Sequence, residues 1–257
     1  MNRIDQLFDR KKSNILSIYF TAGYPNLEDT TTILETLQES GADLIEIGMP
    51  FSDPLADGPV IQESSHQAIV NGMNIKLLFE QLKEIRTSIS IPLVLMGYFN
   101  PVLQFGIEKF CEQCEKAGID GLIIPDLPLE LYLEDYKPVF DAYNLHNVFL
   151  ITPETSVKRI RLIDENAGGF IYMVAASSTT GSRNTIETRQ EAYFDRIRNM
   201  NLQNPLIIGF GISNKQTFER ACNFANGAII GSAFIKAISE NDDLQTNIRA
   251  FIQGIKE

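Results

Sequence analysis

Short apolar runs alternate along the chain with longer stretches in which apolar side chains recur every three or four positions. The runs fall at Ile15–Phe20, Leu44–Gly48, Pro92–Gly97, Gly121–Ile124, Asn147–Ile151, Gly169–Val174, Pro205–Gly209 and Gly227–Ile230. Rich in Ile, Val, Leu and Phe, they read as strands covered on both faces, as in a parallel sheet. The stretches Leu27–Glu39, Ile75–Thr87, Ile107–Ala117, Leu129–Tyr143, Val157–Asn166, Arg189–Met200 and Ser213–Phe224 read as amphipathic helices. A last helix is expected near Leu244–Ile255 and a short amphipathic one within Met1–Lys12. Eight such units in unbroken series predict an α/β fold. The architecture expected is one (β/α)8 TIM barrel domain over 1–257, with a short N-terminal helix and extra helices in the βα loops. An open doubly wound sheet is the alternative that the same alternation allows. Three segments after strands, Met49–Glu63, Tyr98–Phe105 and Ala175–Thr188, read as unusual loops, on the side where barrels carry chemistry.

The 257 residues are 44% hydrophobic, enough for a substantial core, and no linker, repeat or low-complexity segment divides them. A formal charge of −11 argues against nucleic acid or an anionic membrane as the partner. It leaves a phosphorylated substrate open, because phosphate sites are built locally from backbone N–H groups. Cys111, Cys114 and Cys222 form an odd, sparse set, which points to a reducing, cytoplasmic compartment. The N-terminal stretch has no apolar core or cleavage pattern, so no signal peptide is expected, and no apolar run is long enough to span a bilayer.

Glu46 stands out as a carboxylate inside an apolar strand, on the same face as Leu44 and Gly48. Such a group either pairs, giving a structural ion pair, or is held neutral with a raised pKa, ready for proton transfer. Asp53 and Asp57 follow in a loop stiffened by Pro50, Pro54 and Pro59. They read equally as turn residues or as a second carboxylate placed across a pocket. Glycines after the last three strands, among them Gly181, Gly209, Gly211 and Gly231, suit either tight turns or a phosphate cradle to which Ser232 adds a hydroxyl. Cys111 and Cys114 have redox-motif spacing but lie in a helical pattern, which favours packing. His66 and His146, the only histidines, belong to no metal motif, so neither a metal site nor a Ser-His-Asp triad is expected.

The segment Leu44–Pro59, followed in order by Met96–Pro101, Ile124–Pro128, Gly209–Ile212 and Gly231–Ser232, and preceded by Thr21–Pro25, resembles the tryptophan synthase alpha subunits. The resemblance spans nearly the whole chain and is most specific after Glu46. It implies retro-aldol cleavage of indole-3-glycerol phosphate to indole and glyceraldehyde 3-phosphate. Glu46 then matches the acid/base that protonates indole C3 and helps remove the glycerol hydroxyl proton, and Asp57 the group that accepts the indole N–H. Tyr19 and Tyr172 match positions beside the substrate, Tyr19 where many members carry phenylalanine. Thr180 matches a lid threonine, and Gly181, Phe210, Gly211, Gly231 and Ser232 match phosphate-binding positions. The lid, Ala175–Gly181, departs from the Gly-Val-Thr-Gly ending more common in the family.

No metal or organic cofactor is implied in this chain. The implied partner is a pyridoxal-phosphate beta subunit in an αββα complex, which consumes the indole. It would dock on the catalytic face through Ser52–Pro59, Tyr98–Phe105 and Pro125–Leu129, with Phe51, Tyr98, Phe99 and Leu127 as exposed apolar anchors. Two rivals remain at this point: a stand-alone indole-releasing lyase, and a barrel that binds a partner without catalysis.

Overall fold

The computed structural model describes residues 1–55, 57–175, 183–209, 211–239 and 243–257, with 183–189 described by backbone alone. Eight strands, β1 Ile15–Thr21, β2 Leu44–Gly48, β3 Leu93–Met96, β4 Gly121–Ile123, β5 His146–Ile151, β6 Ile171–Val174, β7 Leu206–Gly209 and β8 Gly227–Ile230, pair in parallel and in chain order. The sheet closes where Ile15–Ile18 of β1 meet Gly227–Ile230 of β8. Closure excludes the open-sheet alternative: this is a (β/α)8 TIM barrel.

The helices are α1 Arg3–Arg10, α2 Asp29–Ser40, α3 Pro59–Val70, α4 Ile75–Leu82, α5 Phe99–Phe105, α6 Ile107–Ala117, α7 Leu129–Leu131, α8 Lys137–Ala142, α9 Val157–Asn166, α10 Arg183–Arg198, α11 Lys215–Cys222, α12 Ser232–Ile238 and α13 Leu244–Lys256. Side-chain caps mark several starts. Asn74, Asn214 and Asp243 each accept a backbone N–H three residues on, a bond worth about 1 kcal/mol at a helix N-terminus.

Strand alternation divides the apolar residues into two layers. Ile45 and Ile47 of β2 face outward into the large core beneath the helices. Leu44 faces inward and joins Val94, Val148, Ile207 and Ile229 in the barrel interior. Ile4, Leu7 and Phe8 of α1 close the bottom of that interior, with Phe8 against Phe170. Each such side chain is worth about 1.5–3 kcal/mol when fully buried. The interior is therefore packed shut from below and can open only at the C-terminal ends of the strands.

Two expectations about loops are corrected. Tyr98–Phe105 is not a loop: Phe99–Phe105 is helical, because Phe99 and Val102 lie one turn apart and are both buried. The Asp126 carboxylate accepts the Phe99 N–H at 2.8 Å and serves as a borrowed cap. The segment after β2 is irregular only to Gly58, where α3 starts with Pro59 at its first position. The run expected over Leu129–Tyr143 is helical but widens into a π turn at Tyr132–Tyr136.

Candidate active site

A cavity of about 350 Å³ opens at the C-terminal ends of the strands, lined by Glu46, Asp57, Tyr19 and Tyr172 together with Gly211, Gly231 and Ser232. A larger cleft, about 540 Å³, lies on the outer surface between α4 and α6, away from the strand ends. The smaller cavity is where titratable groups in unusual surroundings converge, which makes it the chemical site.

Glu46 is fully buried at the centre of β2. Ser17 on β1 donates its hydroxyl to Oε1 at 2.9 Å, while Oε2 is buried without a hydrogen-bond partner. No cation pairs with this carboxyl among the described residues, so the ion-pair reading does not hold. Burial disfavours its charged form and pushes the pKa up to about 8, against a smaller opposing effect of the Ser17 bond. At neutral pH the group is a carboxylic acid.

Asp57 sits in a different environment. It is partly buried, and the Tyr98 hydroxyl donates to its Oδ2 at 3.0 Å. Burial raises its pKa, and the Tyr98 bond works against that rise. The loop that carries it is tied down locally: Asp57 N–H donates to the Pro54 carbonyl at 3.1 Å, and Gln62 Nε2 donates to the Asp57 carbonyl at 2.9 Å. Tyr98 is itself held against Phe51, ring centroids 5.0 Å apart.

Tyr19 and Tyr172 are buried, and burial raises both phenols above their usual range, so both remain neutral. Each ring depends on a glycine. The Tyr19 hydroxyl occupies the place a Cβ on Gly48 would take, and the Tyr172 hydroxyl does the same at Gly209. Gly211, also on the cavity wall, has φ 76°, which favours glycine and leaves its backbone uncovered by any side chain of its own.

Of the ten site residues expected from sequence, Glu46, Asp57, Tyr19, Tyr172, Gly211, Gly231 and Ser232 line this one cavity. Thr180, Gly181 and Phe210, and residues 176–182 of the Ala175–Thr188 segment as a whole, lie outside the described residues. Sequence reading missed Ser17, Tyr98 and Lys236. Lys236 follows Ser232 by one turn of α12, a spacing that signals a shared face. It is the one cation lining the cavity among the described residues. Two of the four proposed docking anchors are also corrected: Phe99 and Leu127 are buried, because they pack inward beneath the loops that carry them.

No group of three potential metal-binding side chains occurs among the described residues. Cys111 and Cys114 are free, buried and helical, and burial pushes the Cys111 thiol up to about 12, as suits packing rather than redox work.

The family model described as tryptophan synthase alpha chain matches residues 5–255. The tryptophan synthase alpha chain of Flavobacterium johnsoniae is 61% identical over 241 residues, covering 94% of this chain and 95% of its own length. That of Parabacteroides distasonis is 53% identical over 257 residues and covers both chains fully, at 100% each. Among solved structures, tryptophan synthase subunit alpha from Legionella pneumophila superposes with a TM-score of 0.89 at 33% identity, over 100% of this chain and 97% of that one. Tryptophan synthase from M. tuberculosis in an aminoacrylate-bound form gives a TM-score of 0.87 at 26% identity, over 99% and 98% of the two chains.

Proposed function

The chain belongs to the tryptophan synthase alpha chain family and catalyses its reaction, the cleavage of indole-3-glycerol phosphate to indole and glyceraldehyde 3-phosphate; we propose that Glu46 and Asp57 carry out the chemistry and that the Gly211–Lys236 side of the cavity holds the phosphate. The observation that carries this assignment is a carboxyl kept neutral by burial, with pKa about 8, opening on the same cavity as a second carboxylate. Paired carboxyls in unlike surroundings can take different roles, one moving the proton and the other stabilising charge.

Glu46 gives its proton to indole C3, and the ring becomes an indolenine whose nitrogen carries positive charge. Asp57 accepts the N–H and stabilises that charge as it develops. The Glu46 carboxylate then takes the proton of the adjacent glycerol hydroxyl. The C–C bond breaks, its electron pair returns to the indole ring, and the aldehyde leaves. Glu46 ends with the proton count it began with, so no external acid or base is consumed. Neither metal nor organic cofactor has a role in these steps. General acid–base catalysis of this type supplies about 10² to 10⁴ in rate.

Tyr19 and Tyr172 hold the flat ring between them at the carboxyl side. Gly211, Gly231 and Ser232 offer backbone and hydroxyl donors to the phosphate. Lys236 adds the positive charge that a dianionic group needs in a cavity already holding two carboxyls. The family resemblance assigns Thr180 to the lid and Gly181 and Phe210 to phosphate binding.

A beta subunit is the partner that the family implies. The assembly we propose is αββα, in the cytoplasm, with pyridoxal phosphate in the beta subunit. Its docking face is the barrel mouth. Leu55, 90% exposed on the β2–α3 loop, and Leu103, 42% exposed on α5, are apolar side chains on that face that remain uncovered. No helix among the described residues is long and apolar enough to cross a membrane.

The test is turnover of indole-3-glycerol phosphate by the purified chain and by Glu46→Gln, each with and without a beta subunit. Indole release by the wild type alone, stimulated by beta and lost in the variant, supports the full reading. Equal release by both proteins would remove Glu46 from the mechanism.

A further inference from the structure

The interior face of β1 carries a polar residue that packing does not call for. Ser17 lies between Leu44 of β2 and Ile229 of β8 in the ladder, both apolar and both inside the barrel. It is fully buried. A hydroxyl in that layer is costly unless it finds a partner, and its partner is Glu46 Oε1 at 2.9 Å. The other oxygen of the same carboxyl, Oε2, is just as buried and is left free of hydrogen bonds.

We infer that Ser17 is a positioning residue for the acid–base step: by donating to Oε1 it fixes the plane of the Glu46 carboxyl and leaves Oε2 as the oxygen that carries the transferable proton. The inference rests on the assignment of Glu46 as the acid–base group. A neutral carboxyl has one acceptor oxygen and one that bears hydrogen. A donor already committed to Oε1 makes that oxygen the acceptor, so the proton resides on Oε2. Once the proton has gone to indole C3, the carboxyl carries charge, and the Ser17 bond becomes a charge-assisted one of greater strength. Ser17 therefore supports the ionised state in the interval between giving one proton and taking the next.

Other groups face Glu46 from the surrounding elements. β1 contributes Tyr19 and β6 contributes Tyr172, both kept neutral by burial. The loop before α3 contributes Asp57, and α12 contributes Lys236 at the cavity wall. The remaining strands present apolar side chains here, Val94, Val148, Ile207 and Ile229 among them. None of these replaces a hydrogen-bond donor on Oε1.

Glu46 must be protonated to act as the acid, so kcat falls as pH rises through its pKa. The bond donated by Ser17 favours ionisation, so its loss moves that alkaline limb upward. The experiment is the pH–rate profile of the full-length chain with indole-3-glycerol phosphate, for wild type, Ser17→Ala, Ser17→Thr and Glu46→Gln. In Ser17→Ala we expect the limb to move up by at least about half a pH unit. We also expect kcat at neutral pH to fall roughly tenfold, from loss of one bond to a charged group, with KM nearly unchanged. Ser17→Thr keeps the hydroxyl and should keep the wild-type limb. If Ser17→Thr does not fold, the Ala profile decides alone. A limb that stays in place in Ser17→Ala, whether kcat is reduced or not, overturns the inference while leaving Glu46 in its role. Turnover surviving in Glu46→Gln removes the assignment on which it rests.

Discussion

Two buried carboxylates sit at opposite ends of this barrel, and the protein treats them in opposite ways. Asp120, just before β4 at the bottom, is 3% exposed and well satisfied. Arg3 Nη1 donates to its Oδ1 at 3.0 Å, and Arg86 Nη2 and the Leu93 N–H donate to its Oδ2 at 2.6 and 2.9 Å. Glu46, near the top, is 0% exposed and receives one hydroxyl bond, with an oxygen left over. The bottom network ties β3, β4 and the N-terminal helix together and is not part of the cavity that holds Glu46. The top site gives up that satisfaction and gains a proton that can be moved. A buried charge needs partners to be stable, and a buried acid needs their absence to be reactive.

The comparison can be broken by exchanging the two behaviours. The largest effect is expected from Glu46→Gln, which should lower turnover about 10²- to 10⁴-fold, the range of a lost general acid–base group, while substrate affinity persists. Steady-state kinetics with a separate binding measurement on the variant checks this. Asp120→Ala should do the reverse. Removing it leaves the half-buried Arg86 without its ion-pair partner and the Leu93 N–H without an acceptor, so denaturant unfolding should show a loss of about 3 kcal/mol. The kcat of the remaining folded fraction should stay near the wild-type value. An Asp120 variant that is stable but inactive would erase the division between the two ends.

Smaller effects sharpen the picture within the upper site. Asp57→Asn should lower kcat by about 10²-fold with a lesser change in KM, because the charge it stabilises develops in the transition state. A rise in KM alone would make Asp57 a ground-state binding residue. Lys236→Met should raise KM about fivefold to tenfold with kcat preserved, the result of weakening one partly exposed charged contact to phosphate. Its affinity for glycerol phosphate should become less sensitive to salt. Unchanged affinity and salt dependence would leave the phosphate to the backbone donors alone.

Much of the frame was legible in the chain itself. β2 and β8 begin and end where the apolar runs do, because polar Asp43 and Asn226 stand directly before them and mark where burial starts. α6 and α9 likewise coincide with their amphipathic stretches. α5 was hidden because Asn100 and Pro101 resemble loop punctuation, and its cap, Asp126, comes from another loop. The same division holds at the site. Glu46 is visible as a charge in an apolar strand, whereas Asp57 taken alone could not be told from a turn residue without the family resemblance. The parts Ser17 and Tyr98 play beside the two carboxyls could not be read, since they lie in bonds to residues 29 and 41 positions away. Such contacts exist only after the barrel has closed.

Everything proposed for the upper site depends on Glu46 being a neutral acid at rest. Its ionisation also has a stability signature. From its ordinary value of 4.5 up to about 8, the unfolded chain loses this proton while the folded chain keeps it. The stability tied to the neutral carboxyl is thus fully present below the lower value and lost as pH rises to the upper, by at most about 1.4 kcal/mol per pH unit. The most direct measurement, however, is on the group itself: isotope-edited infrared titration of the Glu46 carboxyl in the ligand-free full-length chain, with Glu46→Gln as the blank. The account predicts a protonated C=O band that persists through pH 7 and disappears with a midpoint near 8. A midpoint at the ordinary carboxylate value of 4.5 would contradict it.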